Sequence, residues 1–226
     1  MNQEEFNHQL CDFISRASTP FHAVAELSRR LEEGGFTRLS EEGVRDLKPG
    51  RYFLTRNGSS IIAFVCGSES PAQEGFRMVG AHTDSPCLMV KPAPEKLRNG
   101  YFQLGVQVYG GVLLNPWFDR DLSLAGRVSF QCDDAQLRTA LIDYRAPLAI
   151  IPSLAIHLDR TANDNRSVNP QTDVLPILFQ QSGEDPADFR ALLKARLLEE
   201  HPDCRVQQVL DFELAFYDTQ APARGK

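Results

Sequence analysis

A histidine and an aspartate lie two positions apart in the segment MVGAHTDSPCLMVKP, residues 78 to 92. The apolar run Phe76 to Ala81 predicts a strand that leads into His82 and ends before Pro86. Alternate residues of a strand share a face, so His82 and Asp84 are expected to project together at its carboxyl end, where open α/β sheets place ligand sites. An imidazole binds zinc, cobalt or manganese, and a nearby carboxylate can orient the ring. The spacing alone fits either a metal site or a polar turn.

Two helices and a hairpin are predicted to precede this segment. Residues 4 to 16 have apolar side chains at helical spacing, and a second helix begins near Pro20 and ends at Gly34-Gly35. Asn57-Gly58 joins two β-rich runs and is a strong signal for a type I′ turn, because both residues tolerate a positive φ. The predicted apolar faces consist of Phe6, Leu10, Phe13 and Ile14 in the first helix and of Val24, Leu27 and Leu31 in the second.

The chain after residue 92 is predicted to be mostly β. Residues 102 to 108 alternate between apolar residues and polar or small ones, which is typical of a strand. One helix is predicted from Pro186 to Glu200. Further strands are predicted over Ala125 to Cys132, Leu137 to Asp143, Leu148 to Leu158 and residues 209 to 218. We therefore divide the sequence into an α/β part, residues 1 to 92, and a β-rich part, residues 93 to 226.

The composition argues against several partners and locations. The 226 residues carry a formal charge of -6 at an isoelectric point near 5.4 and contain no run of lysine or arginine, which argues against nucleic acid and anionic membranes as partners. No apolar run approaches the roughly 20 residues that span a bilayer, and the N-terminus lacks the pattern of a signal peptide. Five scattered cysteines without a CxxC pair suit a reducing compartment. We expect a cytoplasmic protein.

Several long strings extend the His82 motif into a family resemblance. GAHTDSP is followed by VYGG at residues 108 to 111, WFDRDLSLAGRV at 117 to 128, IPSLAIHLDR at 151 to 160 and VLPIL at 174 to 178. In this order the strings resemble the aspartyl aminopeptidases, the eighteenth metallopeptidase family. The resemblance implies an α/β fold: a mixed-sheet metallopeptidase catalytic domain, to which residues 1 to 92 contribute, with an inserted mostly-β dimerisation domain, residues 93 to 226.

The resemblance also implies a reaction and a metal centre. Members of the family are two-metal exopeptidases that release one N-terminal residue from peptide substrates, typically aspartate or glutamate. Their metals are usually zinc, with cobalt or manganese as substitutes. His82 matches the family's first metal-binding histidine, and Asp84 matches the aspartate that supports the metal centre, which gives Asp84 a catalytic role. The subunits are expected to form dimers that assemble into a dodecamer.

His157 has two interpretations. Its position in AIHLDR, near the end of an apolar run, fits a strand-end histidine that is bonded to a neighbouring backbone carbonyl. The family resemblance implies instead a histidine of the dimerisation domain that reaches the partner subunit's active site and contacts the substrate. We predict this substrate-binding role for His157, with metal ligation as the second choice.

The remaining metal ligands of the family have no counterpart in this sequence. Family members are about twice as long, and nothing after residue 159 resembles their other carboxylate and histidine ligands; the doublet Glu199-Glu200 lacks the surrounding string. One histidine and one aspartate do not complete a two-zinc site, because each zinc takes three or four protein ligands. We therefore expect an incomplete chain that is inactive alone. The alternatives are a non-catalytic assembly module and another two-metal amidohydrolase, such as a carboxypeptidase or deacetylase, although those lack the WFDRD and AIHLDR strings.

Overall fold

The computed structural model describes residues 2–43, 46–181, 187–203 and 205–224, and the chain divides into two compact units. Unit 1 comprises Met1–Ser85 with Ala221–Lys226, and unit 2 comprises Pro86–Gln220. The division lies upstream of residue 92, because the strand that begins at Cys87 pairs within unit 2. Helices, a mixed sheet and an antiparallel sheet confirm the predicted fold class. The roles of the two parts as catalytic and dimerisation domains stay a prediction.

Unit 1 begins with two helices, α1 (Gln3–Arg16) and α2 (Pro20–Glu33). The Asn2 side chain caps α1 by accepting the Glu5 N–H at 2.8 Å. Thr19 caps α2, and a proline occupies the first turn of that helix, where its missing N–H costs nothing. Both predicted helices are confirmed.

The apolar faces of these helices have different surroundings. Phe21 and Val24 of α2 are buried, whereas α1 has no buried residue. Phe6, Leu10 and Ile14 of α1 are 53%, 45% and 51% exposed. The amphipathic face of α1 is therefore present as predicted, but about half of the surface of Phe6, Leu10 and Ile14 stays exposed among the described residues.

A buried carboxylate in α2 is held by two arginines of the same helix. Glu26 is 7% exposed and accepts hydrogen bonds from Arg29 at 2.9 and 2.6 Å and from Arg30 at 2.7 Å. Arg30 also donates to Asp12 at 3.0 Å and lies 5.3 Å from the Phe13 ring centroid, so it joins α2 to α1. The hydrogen bonds from Arg29 and Arg30 lower the pKa of Glu26 to about 2, against the opposing effect of burial.

Glu26→Gln is expected to destabilise unit 1 by about 2 kcal/mol at neutral pH, because two guanidinium groups lose their shared anion. A lowered folded-state pKa means that ionised Glu26 stabilises the fold fully above pH 4.5, its ordinary pKa, and that this stabilisation is lost as the pH falls towards about 2. The stability difference between wild type and variant therefore shrinks over that range. The protection of the α2 amides from hydrogen exchange, corrected for intrinsic rates, measures this stability difference.

Glu33→Gln is the matched control, because it removes an exposed ion pair with the same Arg29. Its expected cost is under about 0.5 kcal/mol. Equal effects of the two substitutions would contradict the role given to Glu26.

A small mixed sheet follows the helices. Its strands, in sheet order, are β1 (Thr37–Arg38), β2 (Gly50–Arg56) and β3 (Ser60–Cys66). Strand β1 is parallel and β3 is antiparallel to β2. In the β2–β3 turn, Asn57 and Gly58 have φ values of 53° and 65°, and the Ser59 N–H donates to the Arg56 carbonyl at 3.1 Å. The predicted hairpin is confirmed.

The predicted strand from Phe76 to Ala81 is wrong for the described structure. After a single helical turn, α3 (Pro71–Glu74), the backbone is irregular up to residue 86. Its apolar side chains at Phe76, Met78 and Val79 are 77%, 87% and 102% exposed. A strand requires a neighbour with which to exchange hydrogen bonds, and no described strand pairs with this segment.

Unit 2 is built on a six-stranded antiparallel sheet. The strands are β4 (Cys87–Arg98), β5 (Tyr101–Tyr109), β6 (Leu122–Cys132), β7 (Leu137–Asp143), β8 (Ile177–Gln180) and β9 (Val206–Asp218). Their order is β7-β6-β9-β4-β5-β8. Strand β5 buries Phe102, Leu104 and Val106, as its alternation predicts. The predicted strands β6, β7 and β9 are also confirmed.

Helix α4 (Phe189–Glu200) packs against β7 and β9. Phe189, Leu193 and Leu197 are buried at successive turns and belong to the core of unit 2. The helix is confirmed from residue 189; its predicted start at Pro186 lies outside the described residues. None of the described helices is long and apolar enough to cross a membrane.

The predicted strand from Leu148 to Leu158 is also wrong for the described structure. Only isolated bridges form there, at Ala149 and Ile150, and turns begin at Ile156. Pro152 lacks the N–H that a continuing ladder would need. The segment that carries His157 is therefore a loop.

Candidate functional site

The His82 motif is attached to the β2–β3 hairpin. Thr83, between the two candidate site residues, donates its hydroxyl to the Ser59 carbonyl at 2.7 Å. The His82 and Asp84 side chains are 79% and 43% exposed. The structure thus brings the two predicted residues together on irregular backbone instead of a strand end. Sequence reasoning misses Thr83, because its partner is distant in the chain and no local pattern indicates it.

The His82 imidazole is oriented by the backbone of Asp84. His82 Nδ1 is 2.6 Å from the Asp84 carbonyl oxygen and 3.7 Å from Asp84 Oδ1. A carbonyl oxygen only accepts hydrogen bonds, so Nδ1 carries the donated proton and Nε2 of the neutral ring keeps its lone pair. The carbonyl of Asp84 takes the orienting role that the sequence suggests for its carboxylate. Nε2 is therefore the His82 atom that can bind a metal.

The described residues do not by themselves fit a zinc site. Across the described ranges, no three His, Cys, Asp or Glu side chains are grouped so that they could hold a metal ion. His82 and Asp84 offer one nitrogen and one neighbouring carboxylate, whereas zinc takes four ligands. Zinc at His82 would therefore need additional donors.

His157 lies in an exposed turn of unit 2. The N–H groups of Leu158 and Asp159 donate to the Ala155 carbonyl at 2.8 and 3.1 Å. Within the part of the chain that the structure describes, the His157 ring has no hydrogen bond or ion pair, and no strand contains it. The strand-end interpretation is therefore wrong. The exposed imidazole can interact with another molecule.

The WFDRD string lies in unit 2, and its residues contact residues that are distant in the chain. Arg120 pairs with Asp218 at 3.0 Å, and Asp119 accepts the Ser153 N–H at 2.8 Å. Arg166, in the Asn-rich segment that follows His157, reaches Ser153 at 3.3 Å. Sequence reasoning misses Arg166, because the contacts of one long side chain across a loop depend on the tertiary structure.

Comparison with known sequences places the chain in a family. Residues 13–225 match the model of the Aminopeptidase I zinc metalloprotease (M18) family. A Pseudomonas fluorescens protein named "Probable M18 family aminopeptidase 2" is 55% identical over 222 residues, which cover 98% of this chain and 51% of the relative. A protein of the same name from Pseudomonas savastanoi pv. phaseolicola is 56% identical over 220 residues, which cover 97% of this chain and 51% of the relative.

Solved structures have the same fold. A chain in "Cryo-EM structure of the Ape4 and Nbr1 complex" superposes with a TM-score of 0.89 and 36% identity, covering 96% of this chain and 45% of that chain. A chain in "Structure of S. cerevesiae mApe1 dodecamer" gives a TM-score of 0.75 and 26% identity, covering 100% of this chain and 51% of that chain.

The fold and the matched sequence are together those of a zinc metalloprotease family. The chain belongs to the M18 aminopeptidase family, which confirms the predicted resemblance. It spans about half the length of the curated relatives it matches.

Proposed function

We propose that this chain forms part of a zinc aminopeptidase that removes N-terminal residues, above all aspartate and glutamate, from peptides. Membership of the M18 family supports the reaction class and the metal. The observation that connects the proposal to particular residues is the orientation of the His82 ring. Its Nδ1 contacts the Asp84 carbonyl at 2.6 Å on an exposed segment, so Nε2 is the nitrogen that the neutral ring can offer to a metal.

The proposal gives each candidate residue a separate role. His82 binds one of two zinc ions through Nε2, with cobalt or manganese as possible replacements. Asp84 supports the metal centre and thereby catalysis. The other metal ligands come from polypeptide outside these 226 residues. His157 donates a hydrogen bond to the substrate in the active site of a neighbouring subunit, with metal ligation as the second choice.

We also propose that the whole protein is a cytoplasmic homo-oligomer, in which dimers assemble into a dodecamer. One structural relative is described as a dodecamer, which supports this assembly. Around His157, the residues Leu154, Ile156 and Leu158 are 63%, 47% and 75% exposed. Adjacent exposed apolar side chains of this kind suit a contact between subunits.

A chimera tests the reaction. This chain, joined to the remaining half of the Pseudomonas fluorescens relative, is expected to release N-terminal aspartate or glutamate from short peptides. Activity should disappear with a zinc chelator and return with added zinc. In the chimera, His82→Ala should lower both zinc content and activity, whereas His8→Ala, a change at an exposed helix position, should alter neither. A folded, zinc-loaded chimera that hydrolyses no peptide would refute the proposal.

The alternative function is an assembly module without catalysis, and the metal content of the 226-residue chain bears on it. We expect fewer than two tightly bound zinc ions per chain, because the described donors fall short of two sites. Elemental analysis after dialysis measures this ratio. Two tight ions per chain would show that the ligand set is complete without further polypeptide. Normal oligomers of an inactive chimera would favour the assembly module.

A further inference from the structure

The segment that carries His157 is attached at both ends to one group of side chains. Ser153 precedes this segment and Arg166 follows it, and Arg166 Nη1 donates to Ser153 Oγ at 3.3 Å. We refer to residues 154–165 as the His157 loop. The side chains that join its ends, here named the Arg166 cluster, are Asn115, Phe118, Asp119, Ser153 and Arg166.

Besides Ser153, Arg166 contacts two other members of the cluster, Phe118 and Asn115. Its guanidinium carbon lies 3.9 Å from the Phe118 ring centroid, which is within the range of a cation–π interaction. Its Nη1 also donates to Asn115 Oδ1 at 3.4 Å. One planar cation therefore connects the two ends of the His157 loop to the segment that contains Asn115 and Phe118.

Asp119 holds the first end of the loop. The Ser153 N–H donates to Asp119 Oδ1 at 2.8 Å, and the Asp119 N–H donates to the Ile151 carbonyl at 2.9 Å. Hydrogen bonds from Ser153 and the positive charge of Arg166 lower the pKa of Asp119, so the carboxylate stays ionised. Asp119 has a φ of 57°, which is uncommon for a residue with a side chain. These contacts hold the backbone in that conformation.

The His157 loop itself is a series of turns. The Leu158 N–H donates to the Ala155 carbonyl at 2.8 Å, and the Asn165 N–H donates to the Thr161 carbonyl at 2.9 Å. The side chains around His157 are exposed. Exposed loop tips open and move more readily than the sheet that carries them. The position of the His157 ring therefore depends on how the two ends of the loop are held.

We infer that Arg166 is a positioning residue, which fixes the ends of the His157 loop and thereby holds the imidazole where it meets the substrate. The inference rests on the proposed function, because it assigns His157 to substrate contact. A group that stabilises developing charge must already be in place when the reaction occurs. Displacement of such a group by about 1 Å lowers the rate by up to about 100-fold.

Limited proteolysis of the 226-residue chain tests whether Arg166 holds the loop. Arg160 lies exposed within the His157 loop and is a site for trypsin. Arg166→Ala is expected to speed cleavage after Arg160 about tenfold, because the open loop becomes more populated. Arg166→Lys should give an intermediate rate, since an ammonium keeps the charge but loses the planar stacking. Mass spectrometry of the fragments measures the rate at this site.

Arg145→Ala is the control for proteolysis. It removes an exposed arginine of the same unit whose ion pair with Asp143 is 3.7 Å long. Cleavage after Arg160 should keep its wild-type rate in this variant. Equal rates in wild type, Arg166→Ala and Arg145→Ala would overturn the inference.

Kinetics of the chimera test whether the position of the loop matters for catalysis. Arg166→Ala is expected to lower kcat about tenfold with less than about a twofold change in KM. The same substitution in a His157→Ala background should cause no further loss, because Arg166 acts through His157. A full tenfold loss in that background would overturn the inference. A folded, zinc-loaded chimera without activity would refute the proposed function, while proteolysis would still decide whether Arg166 holds the loop.

Discussion

Gly126→Ala is expected to destabilise unit 2 by about 4 kcal/mol, the sum of overpacking and backbone strain. Gly126 lies in β6 opposite Leu214 of β9. An added Cβ would be 2.0 Å from the Glu213 carbonyl oxygen and 2.9 Å from Leu214 Cα, so the two strands would have to separate. The φ of 154° adds strain for any residue with a side chain. The expected loss is a large part of the total stability of a domain, which is about 5–15 kcal/mol.

Urea unfolding followed by tryptophan fluorescence measures this loss. Trp117 is the single tryptophan and packs against the core of unit 2, so it reports on the unit that contains Gly126. Gly111→Ala is the control, because a Cβ there has no heavy atom within 4 Å. Its free energy of unfolding should stay within about 0.5 kcal/mol of the wild-type value. If Gly126→Ala is too unstable to titrate, its soluble yield and circular dichroism replace the midpoint. Wild-type behaviour of Gly126→Ala in these measurements would contradict the clash.

The elements that sequence predicts correctly are those whose signals lie within a few residues. Thr19 and the proline after it define the start of α2, because a cap and a missing N–H act locally. Asn57-Gly58 defines the β2–β3 turn in the same way, through two residues that accept a positive φ. The β4–β5 turn at Asn99-Gly100 is not among the predicted turns, although its φ values of 52° and 78° reflect the same chemistry.

The predicted strands that do not form lack such local determinants. Phe76 to Ala81 has apolar residues but no partner strand among those described. Leu148 to Leu158 is apolar too, yet it forms only two isolated bridges. Side-chain pattern reports the preference of a segment for burial, whereas a strand depends on hydrogen bonds to a neighbour that can lie anywhere in the chain.

The candidate site, too, could be predicted only where the signal is local in the sequence. His82 and Asp84 are close in space because they are only two residues apart in the chain. Residues at this separation lie near each other in most backbone conformations, so the pair forms even without the predicted strand. The contacts that orient the site are tertiary: Thr83 reaches Ser59, and Arg166 reaches across the His157 loop. No periodicity or motif in one sequence indicates such partners.

His157→Ala in the chimera is expected to lower kcat about 100-fold, which corresponds to about 3 kcal/mol of lost transition-state stabilisation by one hydrogen-bond donor. Zinc content should stay at the value of the unsubstituted chimera, because the proposal places His157 on the substrate and not on the metal. Steady-state kinetics and elemental analysis on the same preparation measure both quantities. His8→Ala, at an exposed position of α1, controls for the loss of a surface histidine. Loss of zinc in His157→Ala would establish the second choice, metal ligation.

Mixed oligomers test whether His157 acts across a subunit contact. Co-expression of His157→Ala and His82→Ala subunits gives mixed dimers in which one active site has both an intact metal site and a His157 from the partner. If subunits pair at random, half of the dimers are mixed and half of their sites are complete, so activity should return to about one quarter of the unsubstituted level. This recovery is possible only if the imidazole is supplied by the neighbouring subunit. If His157 served its own subunit, every site in every dimer would lack one of the two groups, and co-expression would leave activity as low as in the separate variants.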